Sequence, residues 1–208
     1  MKYGMKLATL MIGFASAAHS QSNHALSRAQ VRALAASCAR KVHADTIEAI
    51  AKQESAFHPY SLSINYPQSE ASGMGYSHAQ YVLARQPRTK REAIAWTRWF
   101  LNHGHTVSIG LMQVSSQQAA QLGIKDPVQL FEPCLNIASG AVVLQGSYRG
   151  QTKTLQGLAN AFALYNAGSV RIGVENGYAS GVIEKAPPLE TELTPANSPF
   201  HSSHNPQH

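Results

Sequence analysis

One glutamate, Glu54, occupies a helical position at which an apolar side chain is expected. The other members of its helical stripe are apolar: Ile47, Ile50, Ala51 and Phe57. Burial disfavours the charged form of a carboxylate and raises its pKa, and a raised pKa suits a general acid near neutral pH. The spacing fits equally well a core glutamate paired with Arg or Lys, or one at the stripe's edge that reaches solvent.

The elements around Glu54 are predicted to be helices, because the apolar residues recur at helical spacing and strand-like alternation is nearly absent. Asp45 and Glu48 form a capping-box pattern that opens the helix of Glu54. From position 59 to position 88 there is little periodicity, which is typical of a functional or mobile loop. Other predicted helix starts are the Thr89 and Glu92 capping box, Ser116 (with Gly123 as the end), Asp126-Pro127 and Asn136.

The two ends of the chain are predicted to lie outside the folded domain. Lys2 and Lys6 precede an apolar run from Leu7 to Ala15 and small residues, the pattern of a signal peptide over about residues 1–20. Residues 186–208 contain five of the ten prolines and almost no large apolar residue, which predicts a disordered tail. The ordered domain is therefore expected at residues 25–185. Three tail histidines are interpreted as solvated, because nothing fixes their geometry for a metal.

A leader predicts an oxidising compartment, in which Cys38 and Cys134 can form a disulfide, although two buried free thiols stay an alternative. The chain has 208 residues, 13% of them charged, and a net charge of +6. Loss of Lys2 and Lys6 with the leader reduces that charge by two. The remaining basic residues do not form one cluster and no nucleic-acid motif is present, so specific nucleic-acid binding is not expected. No segment after the leader is apolar enough to span a membrane.

Four local patterns occur in order along the chain. They are Glu54-Ser55, Gly110-Leu111-Met112-Gln113, the segment 131–136 with its Cys134, and Tyr165-Asn166-Ala167-Gly168. The ordered set resembles the soluble lytic transglycosylase domain, over roughly residues 34–183. The cysteine pair, an insertion at about residues 66–105 and the approach from Gly104 to Gly110 are similar to the transglycosylases of type IV secretion and conjugation machines.

The resemblance implies a mainly helical, lysozyme-like fold of the goose-type lysozyme class, with a long helical insertion and one disulfide. Its catalytic acid falls on Glu54, and the tyrosine that reaches back toward the acid falls on Tyr165. Many secretion-type members carry an acidic residue at the position of Ser108. The residues expected to contact the saccharide are Ser55, Gly110, Leu111, Met112, Gln113, Tyr165 and Asn166.

The resemblance also implies that one carboxylate is sufficient. Glycoside hydrolysis normally uses two carboxylates, and Asp45, Glu48 and Asp126 are explained as capping residues. Glu70 and Glu132 stay open as partners. A lytic transglycosylase instead cleaves the bond between N-acetylmuramic acid and N-acetylglucosamine and forms a 1,6-anhydro sugar without water. It needs no cofactor.

Other interpretations stay open at this point. A muramidase would use water instead of the sugar hydroxyl, and a weakly catalytic assembly factor would dock on the wall. His103 and His105 lack a third ligand at suitable spacing, so no metal site is expected. Trp96 and Trp99 are interpreted mainly as core residues, with covering of the groove as the alternative. The expected partners are peptidoglycan strands and subunits of a type IV secretion system, in the periplasm.

Overall fold

The computed structural model describes residues 25–65, 80–83 and 85–186. The predicted leader, Glu70, most of the predicted tail with its histidines, and residues 66–79 of the insertion lie outside these ranges. Eight α-helices occur in the described part: α1 Arg28–Cys38, α2 Ala44–Ser55, α3 Lys90–Asn102, α4 Ser116–Gln121, α5 Pro133–Tyr148, α6 Leu155–Ala167, α7 Val170–Glu175 and α8 Tyr178–Lys185. The mainly helical fold is therefore confirmed. No helix among the described residues is long and apolar enough to cross a membrane.

A small antiparallel sheet interrupts the helices between α2 and α4. Its strands are β1 Leu62–Asn65, β2 Gln80–Val82, β3 Thr106–Ile109 and β4 Val114–Ser115, in the order β2-β1-β3-β4. In β1 and β3 every second side chain is apolar and buried, namely Leu62, Ile64, Val107 and Ile109. The sequence gives little sign of these strands because each has only two to four residues, too few for alternation to stand out.

The start of α2 differs from the predicted capping box. His43 is the N-cap, and its Nδ1 accepts a hydrogen bond from the backbone N–H of Asp45. Glu48 is fully buried and forms ion pairs with Arg28 and Arg32 of α1, at 3.0 and 3.1 Å. Arg32 also binds Asp45. The prediction was wrong because the two carboxylates face cations of a neighbouring helix, which local spacing does not reveal.

Most of the other predicted helix starts are confirmed. The hydroxyl of Thr89 accepts from the N–H of Glu92, whose own carboxylate accepts from Arg88 N instead of closing a capping box. Asp126 caps a 3-10 helix, Pro127–Phe131. Helix α4 begins at Ser116 as predicted. The start at Asn136 is wrong, since α5 begins at Pro133 and Asn136 is buried inside its first turns.

A disulfide between Cys38 and Cys134 joins the end of α1 to the first turn of α5, with 5.5 Å between the Cα atoms. The predicted pairing is confirmed. Helices α1, α2, α5, α6 and α8 contribute buried side chains to one apolar core. The bridge therefore fixes α5 to α1, which packs against α2, the helix that carries Glu54.

Replacing both cysteines, Cys38→Ser with Cys134→Ser, should lower the free energy of unfolding by about 2–4 kcal/mol. The reason is that the bridge spans 96 residues and restricts the unfolded chain. Urea denaturation of the oxidised wild type, the reduced wild type and the double variant measures the effect. The last two should agree, and a variant as stable as the oxidised wild type would contradict the prediction.

Candidate active site

Glu54 lies in the last turn of α2 and is half-buried. The helix ends directly after it because Ala56 and Phe57 adopt left-handed backbone angles, with φ of 50° and 69°. No Arg or Lys of the described chain forms an ion pair with Glu54, whereas Glu48 on the same helix has two. Burial raises the pKa of Glu54 to about 7, against the opposing effect of a hydrogen bond from Tyr178. A group with this pKa can both donate and accept a proton at neutral pH.

Two tyrosines lie near the Glu54 carboxyl group. The hydroxyl of Tyr178, the first residue of α8, donates a hydrogen bond to Glu54 Oε1. The hydroxyl of Tyr165 instead donates to the backbone oxygen of Met112, at 2.6 Å. Burial, and then the charge of Glu54, raise the pKa of both tyrosines well above their ordinary value, so both stay neutral donors. Tyr178 is absent from the predicted site residues, because it lies ten residues after the nearest motif.

The loop Gly110–Gln113 lies next to Glu54 and is fixed by the buried side chain of Asn136. Asn136 Oδ1 accepts from Met112 N at 2.7 Å, and Nδ2 donates to Ile109 O at 2.8 Å and to Leu130 O at 3.0 Å. All three partners are backbone groups, so the amide acts as a template for the path of the loop. The spacing of Asn136 suggested a helix cap because Asn also favours that position.

Gly110 is required where the loop passes Asn136. Its φ is +77°, and a Cβ atom there would lie 2.5 Å from Asn136 Nδ2 and 2.9 Å from Leu130 O. The backbone N–H of Gly110 donates to Ser61 O at 2.8 Å, which joins the loop to the start of the sheet. Only glycine combines this backbone angle with this close approach.

Gln113 connects the loop to the polar face of the sheet. It has a φ of +47°, and its Nε2 donates to Gly110 O at 3.0 Å and to Ser61 O at 3.2 Å. Ser63 Oγ donates to Gln113 Oε1 at 2.7 Å. These bonds hold a half-buried amide at the edge of the Glu54 site. Contact between Gln113 and the saccharide stays a prediction.

Ser55 joins the end of α2 to the same loop. Its hydroxyl lies 2.9 Å from Leu111 O and 3.0 Å from Ala51 O, and can donate to either. The side chains of Leu111 and Met112 are fully buried, and Met112 packs against Gly140 of α5. These two buried side chains anchor the loop to the core of the domain. Their predicted contacts with the saccharide stay predictions.

Asn166 is exposed and begins a chain of hydrogen bonds that reaches Tyr178 through Asn176. Asn176 Nδ2 donates to Asn166 Oδ1 at 3.0 Å, and Asn176 Oδ1 accepts from the backbone N–H of Tyr178 at 2.9 Å. These hydrogen bonds therefore fix the start of α8 and with it the tyrosine that contacts Glu54. The predicted contact of Asn166 with the saccharide stays a prediction.

The polar face of the sheet carries neutral groups. Ser108 lies on β3 opposite Ser63, and its hydroxyl accepts from Asn65 Nδ2 at 3.1 Å. Glu132, one of the two carboxylates left open by the sequence, is exposed and pairs with Lys90. Glu70, the other, lies outside the described residues. The described part of the site thus contains one carboxylate, Glu54.

No group of three or more His, Cys, Asp or Glu side chains in the described residues could hold a metal ion. The ring of His103 stacks on Trp99, with 4.0 Å between the ring centroids. His103 Nδ1 also contacts the backbone oxygen of Trp99 at 2.7 Å.

A half-buried acid at a helix end, two tyrosines and a loop fixed to a small sheet are the features of a lysozyme-like domain. A family model described as "Transglycosylase SLT domain" matches residues 32–186. This match covers most of the chain, which therefore belongs to the SLT transglycosylase family.

Named relatives are similar over most of this chain. Protein virB1 of Agrobacterium fabrum (strain C58 / ATCC 33970) is 28% identical over 187 residues, which are 88% of this chain and 70% of the relative. Protein virB1 of Rhizobium radiobacter is 27% identical over 174 residues, 82% of this chain and 65% of the relative. Type IV secretion system protein virB1 of Brucella suis biovar 1 is 30% identical over 141 residues, 65% of this chain and 53% of the relative. The chain thus spans less than two thirds of the length of several relatives. No solved structure gives a significant match.

Replacing Gly110 with Ala should destabilise the protein by about 2 kcal/mol more than replacing Gly104 with Ala. Both glycines have a positive φ, of 77° and 80°, but a Cβ at position 104 meets no atom within 4 Å. The difference therefore isolates the clash with Asn136 and Leu130. Urea denaturation of the two variants measures it, and equal losses of stability would show that the loop is not held as described.

Replacing Tyr178 with Phe should raise the pKa of Glu54 further above about 7. The hydroxyl stabilises the carboxylate form, so its loss favours the protonated form. NMR titration of carbon-13-labelled glutamate measures the change, with Glu54→Gln used to assign the signal. Tyr165→Phe is the matched control, because its hydroxyl donates to Met112 O, and it should change the pKa less. A lower pKa in Tyr178→Phe would contradict the assignment.

Proposed function

We propose that this chain is a peptidoglycan lytic transglycosylase in which Glu54 acts first as acid and then as base. The observation that carries the proposal is a single carboxylate with a pKa of about 7 and no described cation paired with it. An enzyme that needs one group in both protonation states is best served by such a pKa. The family match supports the same class of reaction.

In the first step the protonated Glu54 donates its proton to the glycosidic oxygen between N-acetylmuramic acid and N-acetylglucosamine. The bond from the muramyl anomeric carbon to this oxygen breaks, and the N-acetylglucosamine end leaves as an alcohol. Positive charge then develops on the anomeric carbon and ring oxygen of the muramyl residue. The ionised Glu54 nearby stabilises that charge.

In the second step the 6-hydroxyl of the same muramyl residue attacks its own anomeric carbon. Glu54 accepts the hydroxyl proton, a 1,6-anhydro ring forms, and the acid is regenerated without consuming water. The Tyr178 hydroxyl favours the carboxylate between the steps, because its hydrogen bond lowers the pKa of Glu54. Burial opposes this effect and keeps the base strong enough to take the proton back.

The hydrogen bonds around Glu54 fix the neighbouring loop in place without a second charged group. Ser55 and Tyr165 bind successive carbonyl groups of the loop Gly110–Gln113. Gln113 presents its amide at the edge of the site, where hydroxyl and N-acetyl groups are suitable partners. The neutral side chains of Ser63, Asn65 and Ser108 suit saccharide contacts but cannot activate a water molecule as a carboxylate does.

The proposed setting is a type IV secretion or conjugation apparatus in the periplasm. Relatives named type IV secretion system protein virB1 support this setting. The chain would open the peptidoglycan locally, so that an assembly can cross the wall, and would contact subunits of that assembly. The predicted leader and the disulfide fit an oxidising compartment outside the cytoplasm.

Replacing Glu54 with Gln should reduce lysis of purified peptidoglycan by about a hundredfold to ten-thousandfold, because the amide can neither donate nor accept the catalytic proton. Wild-type products should carry 1,6-anhydro ends, which mass spectrometry separates from reducing ends by one water. Glu132→Gln and Glu70→Gln are matched controls that should retain lysis.

Retained lysis in Glu54→Gln would contradict the assignment of the catalytic acid. Reducing ends that require Glu70 would indicate a two-carboxylate muramidase. Secretion that is unaffected in Glu54→Gln would show that wall cleavage is dispensable for the apparatus and would favour a docking role.

A further inference from the structure

Helix α3 of the insertion presents aromatic side chains to solvent in addition to its buried face. Ala93 and Thr97 are fully buried against the domain, as expected for the inner stripe of a packed helix. Trp99 is 54% exposed, although burying an indole side chain is strongly favourable. Both tryptophans are predicted mainly as core residues, and for Trp99 that prediction is wrong.

An open apolar pocket of about 530 Å³ lies beside this exposed face. We name it the insertion pocket; its lining residues are Leu83, Ala95, Trp96, Trp99 and Phe100. Among the described residues, no charged side chain is part of this lining. A concave surface made almost entirely of aromatic and small apolar side chains suits a ligand with an apolar face.

The Trp99 ring is held in a defined orientation. It stacks on His103, with 4.0 Å between centroids and 25° between planes, and it meets Phe100 edge-on at 5.1 Å. His103 Nδ1 lies 2.7 Å from Trp99 O. Because neighbouring rings already fix the indole, little side-chain entropy is lost when a ligand stacks on it.

The segment around the insertion pocket is basic. Residues 85–98 contain one carboxylate, Glu92, and five cations: Arg85, Arg88, Lys90, Arg91 and Arg98. Arg85 lies over the ring of Trp96, 4.6 Å from its centroid, and pairs with Glu92. Arg98 and Lys90 pair with acidic groups near α5. The segment therefore carries more positive than negative charge, and ion pairs neutralise part of it, which suits weak attraction to carboxylates more than tight binding of a phosphate backbone.

We propose that the insertion pocket is a second binding site for the glycan strand, separate from the site of bond cleavage. The apolar C–H face of an N-acetylated amino sugar stacks on Trp99, and the cations of residues 85–98 attract the carboxylates of the peptide stems. Holding a second stretch of the polymer keeps the domain on the wall between cleavage events. This proposal rests on the proposed function, because that function supplies the polymer.

The test uses the Glu54→Gln chain, so that the strand stays intact, and measures binding to purified peptidoglycan sacculi by co-sedimentation. Adding Trp99→Ala should weaken binding about tenfold, the effect of losing one good stacking contact. Trp99→Phe should restore most of the binding. Leu155→Ala is the matched control, since Leu155 is 79% exposed and lies outside the insertion, and it should bind like the parent.

A second measurement separates this site from the cleavage site. In a chain with active Glu54, Trp99→Ala should slow the lysis of sacculi severalfold but leave cleavage of short soluble glycan fragments unchanged. Equal slowing on both substrates would place Trp99 in the cleavage groove and overturn a separate site.

Three further outcomes would overturn the proposal. One is unchanged sacculus binding in Glu54→Gln with Trp99→Ala. Another is release of the chain from sacculi when oligo-dT is added as a competitor, which would indicate that the pocket binds nucleic acid. The third is a dimer that Trp99→Ala converts to a monomer in sedimentation analysis, which would indicate a second copy of the chain. Failure of the proposed function is recognised separately, by lysis that persists in Glu54→Gln.

Discussion

The site depends on the carboxyl group of Glu54, which is shielded from water and is not paired with a cation of the described residues. A carboxylate in that environment resists ionisation, which is why its pKa rises to about 7. Six residues earlier on the same helix, Glu48 is buried more completely but forms ion pairs with Arg28 and Arg32. The two glutamates of this helix therefore differ in their partners, because Glu48 lies against two guanidinium groups whereas Glu54 accepts a hydrogen bond from the Tyr178 hydroxyl.

The environment of Glu54 is assembled from distant parts of the chain, and Asn136 holds several of them together. Its amide binds backbone groups before, within and after the loop Gly110–Gln113. The helix that carries Asn136 also carries Cys134 of the disulfide. Stability of the core and placement of the site are thus linked through α5, so a fault in this helix disturbs the surroundings of the acid.

Local patterns predicted what depends on local spacing. The apolar stripe singled out Glu54, and the mainly helical fold followed from the same periodicity. Tyr178 could not be predicted, because its contact with Glu54 joins residues 124 positions apart and no local spacing pattern connects them. Asp45 and Glu48 were predicted to form a capping box, but they pair with basic residues of α1. The two arrangements require the same local sequence, so spacing cannot distinguish them. The short strands were missed because two to four residues give too little alternation to detect.

The central claim is that Glu54 works without a second carboxylate and that a sugar hydroxyl, not water, attacks the anomeric carbon. Digesting peptidoglycan in water enriched in oxygen-18 tests this claim directly. The account predicts that the new muramyl ends carry no oxygen-18, because the attacking oxygen belongs to the sugar. One oxygen-18 atom at each new end would show that water attacks and would contradict the account.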